Sequence, residues 1–201
     1  FANISVPSVL ATLVSDKLDF PNLSMVGVDD RAAAYQAVSY LIQQGHRKIA
    51  VLGGPATSYP SMMRRQGAQQ AMEDAGIRFE DKLYGLSNYD FESAYHAMNG
   101  LLARRAEFTA LFAMSDVIAF GAIRALVSAG FRVPEDISVI GFDGISMSRY
   151  CVPVMTTIVQ PSEQIALQSI ELLVRQIEHG APAQTITLQP ELQQGESVRA
   201  I

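Results

Sequence analysis

Short apolar runs alternate with longer stretches whose apolar residues recur at helical spacing, and this alternation organises most of the chain. VPSVLATLV from Val6 and SMVGV from Ser24 are short, apolar and rich in Val, and they predict strands, with Pro21 and Asn22 punctuating the gap. A helix follows. Asp29 or Asp30 can cap it, Ala34, Ala37, Val38, Leu41 and Ile42 form its apolar stripe, and Gly45 suits the left-handed position that ends it. KIAVLGG predicts the next strand. The alternation then continues with a helix through Met72 to Gly76, a strand near Leu83 to Leu86, and a helix carrying Ala94, Met98, Leu101 and Leu102. Strand TALFAM from Thr109 leads into a helix closing on Gly130, after which Val133-Pro134-Glu135-Asp136 turns the chain into strand ISVIGF.

Strands alternating with amphipathic helices predict a mainly parallel sheet covered on both faces and joined by right-handed crossovers. Beyond Gly141 the rhythm changes: an irregular segment leads to TTIVQ, and Pro161 and Ser162 open a long helix with Ile165, Leu172, Leu173 and Ile177 inward, closed by Gly180. TITLQPEL and ESVRAI predict a final strand pair.

Composition narrows the class. At 201 residues, with 49% hydrophobic and 17% charged residues, the chain has enough apolar material for one or two compact domains. Its 15 Lys and Arg are dispersed and outnumbered by 20 Asp and Glu, so this stretch carries no electrostatic footprint for nucleic acid. The single cysteine, Cys151, cannot make an internal disulfide, which fits a reducing, cytoplasmic setting and a buried inert thiol. No apolar run is long enough to span a bilayer, and the first residues lack a signal-peptide pattern.

Candidate chemistry gathers where predicted strands end, because open α/β sheets hold ligands at the carboxyl ends of their strands. Asp143 sits just beyond ISVIGF, where its carboxylate could accept two hydroxyl hydrogens from a sugar diol or simply cap the next turn. Gly53-Gly54-Pro55, followed by Thr57, Ser58 and Ser61, makes either an ordinary tight turn or a loop whose backbone approaches a ligand closely. Arg64, at the start of the next helix, either reaches into a cleft with its planar fork or is solvated like Arg65. Ser115 and Asp116 follow TALFAM as helix N-caps or as cleft-facing groups. Tyr89 could stack on a sugar ring or pack in the core, and Gln160 lies where the chain leaves one lobe for another.

Other chemistries find little support. The chain has no G-x-G-x-x-G, no G-x-x-x-x-G-K-[ST], no G-x-S-x-G and no H-E-x-x-H, and His46, His96 and His179 are widely spaced. No catalytic set, cofactor or metal site is expected.

Read together, VDDRAAAYQAVSYLIQQGHRKIAVLGGP, the RRQG turn, TALFAMSDVIAFGAIRALVSAGFRVPEDISVIGFDG and VPVMTTIVQP resemble the lactose-repressor and galactose-repressor family of bacterial transcription regulators, from about Val6 onward. The resemblance implies two doubly wound parallel-sheet lobes of periplasmic-binding-protein type, joined by three crossings, with an effector between them. It implies an N-terminal lobe of residues 1–28 and 159–186, incomplete here, and a C-terminal lobe of residues 29–158 and 187–201. Carried over, the family's effector contacts fall on Arg64, Asp143, Tyr89, Ser115, Gln160, Thr12 and Ser58. Family members often carry an acidic residue at the place of Thr12 and an amide at Ser115, so the ligand's identity does not follow.

The leading expectation is therefore the effector-sensing core of a DNA-binding regulator for a sugar or sugar phosphate, working as a homodimer and touching DNA only through a headpiece outside this chain, with no membrane partner. A solute-binding protein of a sugar transporter shares the fold and is the alternative. An α/β enzyme ranks last for want of a catalytic set.

Overall fold

The computed structural model describes residues 5–105 and 107–201. The chain runs β1 (Ser8–Ala11), β2 (Leu23–Val28), α1 (Asp30–Gln43), β3 (Ile49–Gly53), α2 (Tyr59–Asp74), β4 (Tyr84–Leu86), α3 (Phe91–Ala103) and β5 (Ala110–Ala113). It continues through α4 (Asp116–Ser128), β6 (Ser138–Asp143), β7 (Thr156–Val159), α5 (Ser162–His179), β8 (Thr185–Leu188) and β9 (Glu191–Gln193). Two short 3-10 turns intervene, at Asp81–Leu83 and Ser146–Arg149.

These elements fall into two compact units, one from the residues up to Asp29 with Gln160–Glu191, the other from Asp30–Val159 with Leu192–Ile201. In the larger unit six strands lie in the order β4-β3-β5-β6-β7-β9, and β3 runs parallel to β4 and β5, β5 to β6, and β6 to β7. The buried faces of β3 and β5 explain their uninterrupted apolar sequences: a parallel strand under helices on both sides has no polar face. From β3 the chain steps first to β4 and then back past β3 to β5, so right-handed crossovers place α2 on one face of the sheet and α3 and α4 on the other. The helix pairing agrees, since α1 packs with α2 and α3 with α4. The core between these layers is filled by Leu41, Leu52, Met72, Met98, Leu101, Phe112, Leu126, Ile140 and Phe142, all fully buried.

In the smaller unit β2 runs parallel to both β1 and β8, and α5 packs on β1 and β2. Val26, Ile165 and Leu172 form its core. Gly180, at φ 61°, ends α5 in the left-handed conformation that a side chain would strain.

Four expectations need correction. The first strand covers only Ser8–Ala11, because the backbone of Thr12 turns to φ 66° and leaves the extended region. The strand near Leu83 begins a residue later, after the 3-10 turn. On α5, Leu173 is half-buried and Ile177 is 64% exposed, since the narrow three-strand sheet covers only a strip of that helix. The final strand pair does not form: β8 and β9 belong to different sheets, and the ESVRAI segment is not a strand. Its Ser197 instead ties β6 to the start of β7, donating its hydroxyl to Val139 O (2.6 Å) and accepting the Thr156 N–H (2.8 Å). Isolated backbone bonds, such as Val139 N–H to Ser197 O (2.7 Å), join these side-chain bonds without extending into a ladder.

Among the described residues, no helix is long and apolar enough to cross a membrane, and no cluster of three metal-ligating side chains occurs.

Candidate functional site

The strand order of the larger unit reverses at β3, whose carboxyl end and that of β5 carry helices to opposite faces of the sheet. In open α/β sheets such a switch point leaves a crevice outside the strand ends. Arg64 lies on α2, the helix that leaves β3. The helix starts cleanly: Ser58 caps it by accepting the Ser61 N–H, and Pro60 occupies the first turn, where no amide partner is needed.

Arg64 is buried, at 5% exposure, so the solvated alternative is excluded. Its Nε donates to Asp30 Oδ1 at 2.7 Å, its Nη1 donates to the carbonyl of Met114 just past β5, and the same nitrogen lies 3.5 Å from Asp143 Oδ1. The guanidinium carbon sits 3.6 Å from the centroid of the Phe142 ring, over its face. One planar cation thus joins the start of α1, the end of β5 and the end of β6. Burying it is tolerable because carboxylates, a carbonyl and an aromatic face replace its water.

Asp143 ends β6 with its side chain 28% exposed and its backbone at φ 110°, a conformation that residues other than glycine seldom adopt. It is the partly open member of the pair. Tyr89 follows β4 at φ 60°, half-buried, and its hydroxyl is buried with no protein hydrogen-bond partner. Its ring lies on Gly54: a Cβ added there would come within 2.1 Å of the ring. The double glycine therefore serves as the seat of an aromatic ring. Ser115 is buried and caps α4, accepting the Ile118 N–H at 3.1 Å, which leaves its hydroxyl hydrogen to donate.

Arg64 and Asp143 are thus brought into contact, while Ser58, Tyr89 and Ser115 stand at the same carboxyl edge of the sheet in the loops after β3, β4 and β5. Thr12 and Gln160 belong to the smaller unit. There Thr12 is exposed and donates its amide to Val26 O (2.7 Å), and Gln160 is half-buried, its carbonyl accepting the Ser162 N–H at 2.8 Å.

Two carboxylates play parts that the sequence reading did not assign. Asp30 was legible only as a helix start, yet it is the closest carboxylate to Arg64. Asp116, legible as a cap or as a cleft-facing group, is fully buried and accepts from Thr157 Oγ1 at 2.6 Å and from the Ile145 amide at 2.9 Å. Burial pushes its carboxyl from the ordinary 3.8 up to about 6, against the lowering effect of those hydrogen bonds. The residues they meet are distant in sequence, and no local pattern announces them. Cys151 is half-buried, and burial raises its thiol above the ordinary range, as befits an unreactive side chain.

A parallel sheet with a switch point and a charged, aromatic-backed group at its carboxyl edge defines the periplasmic binding protein-like class. The model of the periplasmic binding protein-like domain matches residues 38–198. Over 198 residues the chain is 36% identical to an HTH-type transcriptional regulator MalR of Clostridium butyricum, covering 98% of this chain and 59% of that protein. Among solved structures it is similar to a complex of the transcriptional regulator CelR with cellobiose, at TM-score 0.85 and 32% identity over 90% of this chain and 56% of that one. It is also similar to a sugar-binding regulator of the LacI family from Escherichia coli, complexed with phosphate, at TM-score 0.80 and 30% identity over 89% of this chain and 69% of that one. The chain belongs to the periplasmic binding protein-like domain family and, within it, to the LacI-family regulators. It spans 59% of the length of the MalR relative.

Proposed function

We propose that this chain is the effector-sensing core of a LacI-family transcriptional regulator and takes up a small sugar or sugar phosphate between two lobes. The observation that carries the reading is the Arg64–Asp143 pair, 3.5 Å apart over Phe142 at the carboxyl edge of the larger sheet. Asp143 can accept hydrogens from adjacent sugar hydroxyls, Arg64 can donate to hydroxyl or phosphate oxygens, and Tyr89 offers a ring face and an unpartnered hydroxyl. In this reading residues 29–158 and 187–201 form one lobe and residues 1–28 and 159–186 contribute to the other, with Thr12 and Gln160 completing the contacts. Ligand binding would shift an equilibrium between open and closed lobes by its differential affinity for the two, and so alter a dimer whose DNA contacts lie outside this chain. The protein is cytoplasmic and non-catalytic in this proposal.

The regulator reading is favoured over a transporter's solute-binding protein by the names of the relatives, which are transcriptional regulators and repressors. Isothermal titration calorimetry with ribose, galactose, cellobiose and glucose 6-phosphate tests it. At least one should bind, and Asp143→Asn should weaken that sugar at least tenfold. Binding unaffected by Asp143→Asn would overturn the site, and binding of none would overturn the ligand class.

A further inference from the structure

The backbone of Asp143 is strained, and something must hold it there. A residue with a Cβ at φ 110° lies outside the basins that L-amino acids favour, at a cost of roughly 1–3 kcal/mol unless the surroundings over-determine it. The restraint is visible one shell behind. Asp116 opens α4 directly after Ser115, and its carboxylate lies fully buried beside the paired residues Gly141 of β6 and Thr157 of β7. Oδ2 accepts the Ile145 amide (2.9 Å), and Oδ1 accepts the Thr157 hydroxyl (2.6 Å). Oδ1 also rests on the α-carbon of Gly141, where an added Cβ would come within 2.2 Å of it, so no residue but glycine fits beneath it. Asp116 thus grips the second peptide N–H after Asp143, from an anchor that also holds Thr157 of β7.

We infer that Asp116 is the positioning residue of the site: by holding the Ile145 amide against α4 and β7, it keeps Asp143 in its left-handed turn with the carboxylate directed at Arg64. The inference rests on the sugar-binding reading for its consequence, but its geometry stands on these contacts alone. Two carboxylates in one small region have divided roles. Asp143, partly open, faces the ligand, while Asp116, closed off, shapes the loop that presents it. Gly144, at φ 71°, continues the turn, and Thr157 carries the anchor onto β7 two residues before the larger unit ends.

Crystal structures of ligand-free wild type, Asp116→Ala and Asp116→Asn decide the geometric half, with thermal unfolding to confirm that each is folded. In Asp116→Ala, Asp143 should leave the left-handed region and lose its ion-pair distance to Arg64. Asparagine, which keeps the shape and one acceptor oxygen, should restore both. Asp116→Ser, whose hydroxyl suits a helix start but is too short to bridge the Ile145 amide and Thr157, replaces alanine if that variant does not fold. An unchanged Asp143 in the folded alanine or serine variant overturns the inference. The functional half uses the sugar that wild type binds best: affinity should fall at least tenfold in Asp116→Ala and recover by most of that factor in Asp116→Asn. Equal affinity in all three also overturns it. A wild type that binds no sugar, combined with a displaced Asp143 in the variants, would sink the sugar reading and leave the positioning role standing.

Discussion

Arg64 is the residue on which the candidate site balances. Its guanidinium answers Asp30, Asp143 and the Met114 carbonyl at once, so removing it takes the cation from the buried Asp30 carboxylate as well as opening the site. Breaking one side of a buried ion pair typically costs about 3–5 kcal/mol, more than the pair itself contributes. Arg64→Met should therefore lower the urea midpoint strongly, and Arg64→Met combined with Asp30→Leu should recover part of the loss. A double variant that loses the sum of the two single losses would show that the pair is not coupled. His46 makes a quieter contribution: its two ring nitrogens bridge Thr109 Oγ1 (2.9 Å) and Arg199 O (3.1 Å). Because the carbonyl can only accept, Nε2 carries the hydrogen and Nδ1 accepts from the threonine. Burial holds this imidazole below its ordinary 6.5.

At the scale of elements, α5 shows how far an amphipathic pattern determines burial. Its apolar residues recur at helical spacing, yet only Ile165 and Leu172 are buried, while Leu167, Ile170 and Ile177 are each more than 60% exposed. Periodicity predicted the helix and its ends, from Pro161 to Gly180, because those depend on local backbone chemistry. It could not tell which apolar positions the three-strand sheet would cover, since that depends on the width of the partner. Leu172→Ala should cost about 2–5 kcal/mol in urea unfolding, whereas Ile177→Ala should change stability by less than about 0.5 kcal/mol. A comparable loss at Ile177 would mean that its exposed face is packed in solution. The ESVRAI segment teaches the same lesson from the other side. Its alternation reads as a strand, but Ser197 is held by a mixture of side-chain and isolated backbone hydrogen bonds instead of a ladder.

At the scale of the whole molecule, two buried groups pull acid stability in opposite directions. Asp116 holds its proton up to about 6 when folded, against 3.8 ordinarily, so between roughly pH 4 and 6 the folded state binds a proton that the unfolded chain has released. Stability must then fall as pH rises through that window, by up to about 3 kcal/mol. His46 does the reverse. Its depressed pKa means the unfolded chain takes up a proton first, so its contribution is present above pH 6.5 and is lost as pH falls. Urea unfolding of wild type and Asp116→Asn from pH 4 to 7 separates them. The variant should lose the decline with rising pH and keep the loss on acidification, while parallel curves would refute the assignment to Asp116. The Asp143 charge contributes to the raised pKa of Asp116, so the difference between the two proteins includes that coupling.

Much of this architecture was legible along the chain because strands and helices obey periods of two and 3.6, and because glycine, proline and capping side chains act within a few residues. Arg64, Asp143, Tyr89 and Ser115 could be singled out because each lies in or near a segment that follows a predicted strand, and parallel sheets put those segments at one edge. Which strands are neighbours, that β8 and β9 join separate sheets, and that Asp30 and Asp116 stand behind the visible site were decided only in three dimensions. Those facts rest on contacts between residues far apart in the chain, 41 positions for Asp116 and Thr157 and 160 for Ser24 and Gln184. Local sequence sets the shape of each piece, but the partner that a buried charge will meet is chosen by how the pieces pack.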